Sequence, residues 1–428
     1  MNASIINRIF LCLLFFLPFS IIIGNTVSLG IVILISFFFI FFSFYKNNWK
    51  WIEDPYLKLL VLLYAYLIFN SFISVDYSLG IKRNLGFLRY IFFIFAIKYF
   101  FPNNLNFKKI LNIWMIIMII VCLDIFYEFI TLENILGFQS KYGRRIVSFF
   151  KDEAIVGTYL YAFLFIILGF LFNEKYRKKY FFLKYLIPLI IFISIILSGE
   201  RSVAIRSFVG VMLFYLLVDE LNFKKKILIF LLVIFSSVSI IYNSDYLKVR
   251  YYGQIVKYFF PDKEVYEKTV IEKNVYYHNK KKWGGNTHNV YFKHYSAAYE
   301  IFKKKPWFGV GNKNFGLMCF KDYDLTNVKG GCTTHPHQLY FELLSEHGSI
   351  GTIFFLAIFF IIFLKNIKSY FIYKNPIHLG SFIYLLTIFL PILPSGSFFG
   401  DFNSTFFWMN FGIMIAFEKN KNGGHDKN

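Results

Sequence analysis

The sequence predicts an all-α, polytopic integral membrane protein with about 12 transmembrane helices and one long, partly helical loop outside the cytoplasm. Three observations carry this. Hydrophobic residues make up 57% of the 428 positions and charged residues only 17%, and the apolar excess comes in blocks of near-membrane length rather than in alternating patterns. The gaps between blocks hold much of a strong basic excess, 46 Lys and Arg against 25 Asp and Glu, a net +21. One gap of about ninety-five residues, 243–337, is far longer than the others. Such a chain is not a soluble enzyme, a fibrous protein or a disordered polymer. A nucleic-acid binder carries its charge on a solvated face, so the implied partner here is membrane lipid and not nucleic acid.

A helix rises about 1.5 Å per residue and must cross roughly 30 Å of hydrocarbon. Apolar runs bounded by charges or turn residues fall at 5–23, 27–45, 57–74, 85–101, 110–130, 154–172, 181–197, 203–218, 227–242, 350–364, 379–393 and 405–417. With the N-terminus in the cytoplasm, the inside segments hold 21 basic residues and the short outside loops 7, which by the positive-inside rule predicts that both termini are cytoplasmic. The first run lacks an A-x-A-like cleavage site before the second begins, so it is expected to be a retained anchor. The expected organisation is a membrane domain over 1–242, a large outer loop over 243–349, C-terminal helices over 350–418 and a polar cytoplasmic tail over 419–428.

Residues 243–337 of the outer loop carry 16 basic against 8 acidic residues and five of the eight histidines. A transporter needs no such insert, whereas an enzyme acting at the outer membrane face needs somewhere to put its site. After a Tyr/Lys/Glu-rich stretch, Val290, Tyr291, Tyr295, Ala298, Tyr299 and Phe302 recur at helical spacing, with Pro306 as the stop. This helix either lies on the membrane surface, apolar side down, or packs on a small core of the loop's own. The glycines of Pro306-Trp-Phe-Gly-Val-Gly311 favour a tight turn over a phosphate loop. Cys319 and Cys332, thirteen apart in an oxidising compartment, suit a disulfide stabilising the loop by about 3 kcal/mol in the chain-entropy model.

The sharpest constellation lies just before the tenth run. His335, His337 and Gln338 precede an amphipathic segment, and Gly348 and Gly351 let that segment turn into the membrane helix. An imidazole with an unperturbed pKa of about 6.5 can take a proton from a sugar hydroxyl near neutral pH. A metal role for His335 and His337 needs His288 or His294 folded back onto them, and a structural role is the third reading. General base is favoured over metal.

Polar chemistry also gathers at the turn between the seventh and eighth runs, Ser198-Gly-Glu-Arg201. Arg201 opens a helix there, so a guanidinium and backbone N–H groups could grip an anion together. Arg206 is about 140° further round the helix and need not share that target. Arg144 and Arg145, in another outside loop, are second candidates for anion contact, and Arg89, Asp124 and Glu128 are intramembrane charges that default to functional readings.

His337-Gln338, nine residues, then Gly348-x-x-Gly351 resembles the H-[N/S/Q]-x9-G-x-x-G signature of the O-antigen ligase and O-antigen polymerase superfamily, whose members also include protein O-oligosaccharyltransferases. Gly199-Glu-Arg-Ser202, Pro306-Trp-Phe-Gly-Val-Gly311 and Pro394-Ser-Gly-Ser-Phe-Phe399 support it, over the chain from about Arg144 onward. The resemblance implies a metal-independent, inverting glycosyltransferase without cofactor at the periplasmic face of a bacterial inner membrane, acting in lipopolysaccharide or surface polysaccharide biosynthesis. It takes a glycan from undecaprenyl diphosphate to lipid A core, to another lipid-linked glycan or to a protein. It implies His337 as the general base or acceptor-positioning residue, with Arg201, Arg250 and Arg145 on the donor diphosphate. Glu200, His335 and Gln338 then stand as candidates for contacting the acceptor or supporting the site. The competing reading is a polyprenyl-glycan flippase or other transporter, which predicts polar residues spread through many helices and a dispensable loop.

Overall fold

A computed structural model of the chain describes residues 3–102, 107–141, 143–173, 182–253, 287–321 and 331–418. The described residues are helical, with no strand. In order they form α1 (Ala3–Ile23), α2 (Asn25–Lys46), α3 (Pro55–Phe72), α4 (Tyr77–Gly86), α5 (Leu88–Phe100), α6 (Phe107–Thr131), α7 (Val156–Phe172), α8 (Leu183–Leu197), α9 (Arg201–Leu217) and α10 (Phe223–Tyr242). A short turn, Asp245–Leu247, runs into a π-helical turn, Lys248–Gly253. Then follow α11 (Thr287–Lys304), α12 (Phe315–Lys321), α13 (Leu339–Tyr373), α14 (Pro376–Ile388) and α15 (Asp401–Ala416). Lys175, Arg177, Lys178 and Lys179, most of the Tyr/Lys/Glu-rich stretch and the tail 419–428 lie outside the described residues.

Each of the twelve apolar runs overlaps a helix, but 85–101 is divided between α4 and α5, and 379–393 runs past the end of α14 at Ile388. Among the described residues, five helices are long and apolar enough to cross a membrane by length and composition: α2, α3, α6, α10 and α13. Residues Asn7–Ile23 of α1, and α7, α8 and α14, are apolar but shorter. Two helices, α4 and the short α12, had no counterpart in the sequence reading. Residues 77–86 show too little apolar periodicity, but Asp76 caps them through the Ser78 and Leu79 N–H groups, and Asn84 donates to Leu67 O and Ser71 Oγ of α3, both at 2.7 Å.

Helix α7 is apolar all round and buried at every position but Thr158, as such a helix must be unless it faces lipid. It packs against α8, α9 and α14. The opposite case is α10, where Val233 alone is buried.

The element that shapes the site is α13. Its backbone breaks at Gly348, which takes φ 65°, a conformation that disfavours any side chain. The break frees groups that must find other partners, and Pro306–Gly311 supplies them. Val310 N–H donates to Ser345 O, Gly311 N–H to Glu346 O, Ser349 N–H to Pro306 O and Ile350 N–H to Trp307 O, at 2.7–3.1 Å. The Trp-Phe-Gly-Val turn is therefore a clamp on a broken helix.

The intramembrane charges are structurally committed. Asp124 accepts from Ile135 N and Ser148 Oγ, and Glu128 from Val147 N and Ser148 N, so two carboxylates on one face of α6 pin the stretch that follows it. Arg89 and Arg83 both bond Asp401 at the start of α15, at 2.8 and 2.5 Å.

Candidate active site

His337 ends the segment that leads into α13. It adopts φ 57°, in the left-handed region where histidine is uncommon but tolerated, and its carbonyl accepts the Ser395 N–H at 2.7 Å. Gln338 then caps α13, its side-chain oxygen accepting from Phe341 N at 2.9 Å. The His337 ring lies 4.0 Å from the His335 ring, 5.3 Å from that of His294 and 5.9 Å from that of Tyr291, between centroids. Burial, and then the neighbouring His294, pushes the His337 imidazole down to about 4. Burial, with His337 and Lys313 beside it, takes His335 to about 3. Both rings are neutral at physiological pH and able to accept a proton. His294 is held by Gly331 O at 2.8 Å, and His335 Nδ1 faces Thr334 Oγ1 at 3.1 Å.

His294 does fold back onto His337, as the metal reading required, but no group of three or more His, Cys, Asp or Glu among the described residues is arranged to hold a metal ion. The His288 side chain lies outside the described residues.

The histidines sit under α11. Ala297, Ala298 and Ile301 of this helix bury against Val310, Phe315 and Cys319, with Phe341 at the edge, and Tyr295 stacks on Phe341 at 4.9 Å. Of the two readings of this amphipathic helix, the small core of its own is the one the structure contains. Cys319 and Cys332 are joined, with Cα atoms 5.4 Å apart, tying α12 to the start of the His337 segment.

A cationic cluster lies at the α8–α9 turn. Gly199 turns the chain at φ 74° where a side chain would strike the Tyr246 hydroxyl, and its carbonyl accepts Arg250 Nε at 3.0 Å. Arg144, Arg145, Arg201 and Arg250 all lie within electrostatic reach of Tyr246, with Arg144 5.9 Å over its ring. Burial, and then the charge of Arg250, lowers Arg201 to about 10. Arg145 donates to Ala154 O at 2.9 Å. Arg250 and Arg145 repel Arg201, so positive charge is concentrated at this turn.

Two residues singled out in the sequence work elsewhere. Glu200 accepts from Gly157 N at 2.6 Å, Thr158 N at 3.1 Å and Thr158 Oγ1 at 2.7 Å, so its buried carboxylate caps α7. Arg206 turns away and donates to Leu393 O at 3.2 Å. Tyr291 is the residue that sequence reasoning passed over. It was one apolar position of a helix, yet it lies beside His337 and within electrostatic reach of Arg201.

The fold and the site define a helical membrane protein with a partly buried histidine beside Tyr291, a side chain within electrostatic reach of Arg201. A family model described as O-Antigen ligase matches residues 186–356, from α8 to the membrane half of α13, and this stretch contains Arg201, Arg250 and His337. The match, over less than half of the chain, supports a relationship to the O-antigen ligase and polymerase superfamily. Family and apolar helices together indicate a bacterial integral membrane protein with a glycosyltransferase-like activity. No curated protein matches the chain.

Proposed function

We propose that the protein transfers a glycan from undecaprenyl diphosphate to an acceptor hydroxyl at the periplasmic face of the inner membrane, by an inverting reaction without metal or other cofactor. In this reading both termini are cytoplasmic and residues 243–349 face the periplasm. His337 is the general base, and Arg201 and Arg250, with Arg145 beside them, hold the donor diphosphate. The observation that supports it best is the position of Tyr291, its ring 5.9 Å from that of His337 and its hydroxyl in the field of Arg201. A donor gripped by the arginines thus presents its anomeric carbon on the side where the imidazole stands.

The acceptor oxygen attacks that carbon from the face opposite the diphosphate. The new C–O bond forms as the bond to the phosphate oxygen breaks, and the acceptor proton passes to the neutral His337. The departing diphosphate takes the electron pair, and the guanidiniums stabilise the charge that develops on it. His337→Ala is expected to abolish transfer while the protein still inserts at its normal level; full activity of that variant in a cell-surface glycan gel overturns the reading. Deleting the gene identifies the acceptor. Lipid A core without O-chain indicates a ligase, core with one repeat a polymerase, and an unchanged ladder a protein or capsule acceptor.

A further inference from the structure

The carboxylate of Glu342 and the stretch 394–399 take no part in the chemistry just described, yet they lead directly to His337. Glu342 lies on the arm of α13 ahead of the Gly348 break and is 1% exposed. Burying a carboxylate is costly unless its oxygens are bonded, and both are. Ser397 Oγ donates to Oε1 at 2.5 Å and Phe398 N–H to Oε2 at 2.9 Å. Ser397 Oγ also accepts from Lys313 Nζ at 3.0 Å. Two residues earlier on the same stretch, the Ser395 N–H holds the His337 carbonyl.

The connection runs from a buried carboxyl group, through a short loop, to the backbone of His337, whose φ is unfavourable for its side chain. A residue held in the left-handed region persists only where its surroundings determine it, and the imidazole direction follows from that backbone. We propose that Glu342 is a positioning residue. By anchoring 394–399 through Ser397 and Phe398, it fixes His337 in the conformation that sets its ring against His335, His294 and Tyr291. The idea rests on His337 as the base for its consequence, but the coupling itself can be read without the reaction.

The test uses the full-length protein in detergent with three variants, Glu342→Gln, Ser397→Ala and the double. Two quantities are measured, transfer kinetics with a lipid-diphosphate-linked glycan and the rate at which diethyl pyrocarbonate modifies His337, followed by mass spectrometry. Each single variant is expected to lower kcat by about 10- to 100-fold, the scale of a misplaced catalytic group, with donor KM nearly unchanged because the arginines are untouched. His337 modification is expected to rise several-fold, and the double variant to lose no more than the worse single. Unchanged His337 modification in both singles, or losses that multiply in the double, overturns the proposal. If Glu342→Gln does not insert, Ser397→Ala alone decides. Should His337→Ala retain transfer while the modification rates still follow Glu342, the general-base reading fails and the positioning role stands.

Discussion

Arg250 reaches from the π-helical turn beyond α10 to donate its Nε hydrogen to the carbonyl of Gly199, 3.0 Å away and two residues before Arg201. The bond brings the Arg250 guanidinium beside that of Arg201, against their mutual repulsion. Arg250→Lys keeps the charge but loses the fork that can bond a carbonyl and an anion together. It is expected to lower kcat/KM for the lipid-diphosphate donor by about 10-fold, and Arg201→Ala by about 100-fold, the usual cost of removing a preorganised donor to developing charge. Steady-state kinetics of the two variants check this. An Arg201→Ala enzyme with wild-type kcat/KM would remove the cluster from the reaction.

The pH dependence follows from burial. His337, faced by His294 and Tyr291 from α11 and by His335 on its own segment, is held down at about 4, so in the free enzyme the base form persists well below the usual histidine pKa of about 6.5. The profile of kcat/KM against pH is expected to stay level from neutrality down to about pH 5 and to fall only below it. An acid limb centred near 6.5 contradicts the buried, neutral imidazole. The same shift makes stability depend on pH. Between the unfolded value and 4 the unfolded chain binds a proton at this position that the folded one does not, so stability present at neutral pH is lost as pH falls through that window.

The sequence made the helices legible because membrane helices announce themselves by length and apolar content alone. It made His337, Arg201 and the two glycines of the α13 junction legible because polar residues between apolar blocks have few structural reasons to be there. What stayed hidden was long-range pairing. Tyr291 reads as one more apolar position in an amphipathic helix, and Glu342 as a charge on a helix face. Glu200 reads as a candidate for contacting the acceptor or supporting the site, and nothing in the sequence showed that its carboxylate accepts the N–H groups of Gly157 and Thr158. A signal for Glu342 did exist, a carboxylate five residues after His337 flanked by the apolar residues Leu339, Phe341, Leu343 and Leu344.

Gly348 is the residue on which the junction of arm and membrane helix depends. A Cβ there would run into the backbone of Trp307 and Phe308, and φ is 65°. Gly348→Ala meets backbone strain and a backbone collision together, and is expected to cost about 2 kcal/mol or more, since each alone is destabilising. Thermal unfolding in detergent measures it. Gly351, past the break, has helical backbone, and a Cβ there would crowd the Tyr66 hydroxyl and the His347 Cβ, side-chain atoms rather than backbone. Gly351→Ala is therefore expected to cost less than Gly348→Ala, and the reverse order would show that the break is not where the strain lies.

The disulfide joins positions thirteen residues apart and closes a loop whose far end leads straight into the Thr333–His337 segment. Replacing both cysteines with serine is expected to destabilise the α11–α12 cap by about 3 kcal/mol, from the loop entropy returned to the unfolded chain. The loss falls locally, because Cys319 is buried in the small core with Ala297, Ile301 and Phe315 and not in the main helical core. Limited proteolysis is expected to cut the Cys319→Ser, Cys332→Ser protein within 287–338 while the helices on either side stay intact. Donor turnover is expected to fall in parallel, since α11 carries Tyr291 and His294 against His337. Cleavage that begins in the membrane helices, or a cap as resistant as the wild type, would show that the bridge does not hold the cap over the site.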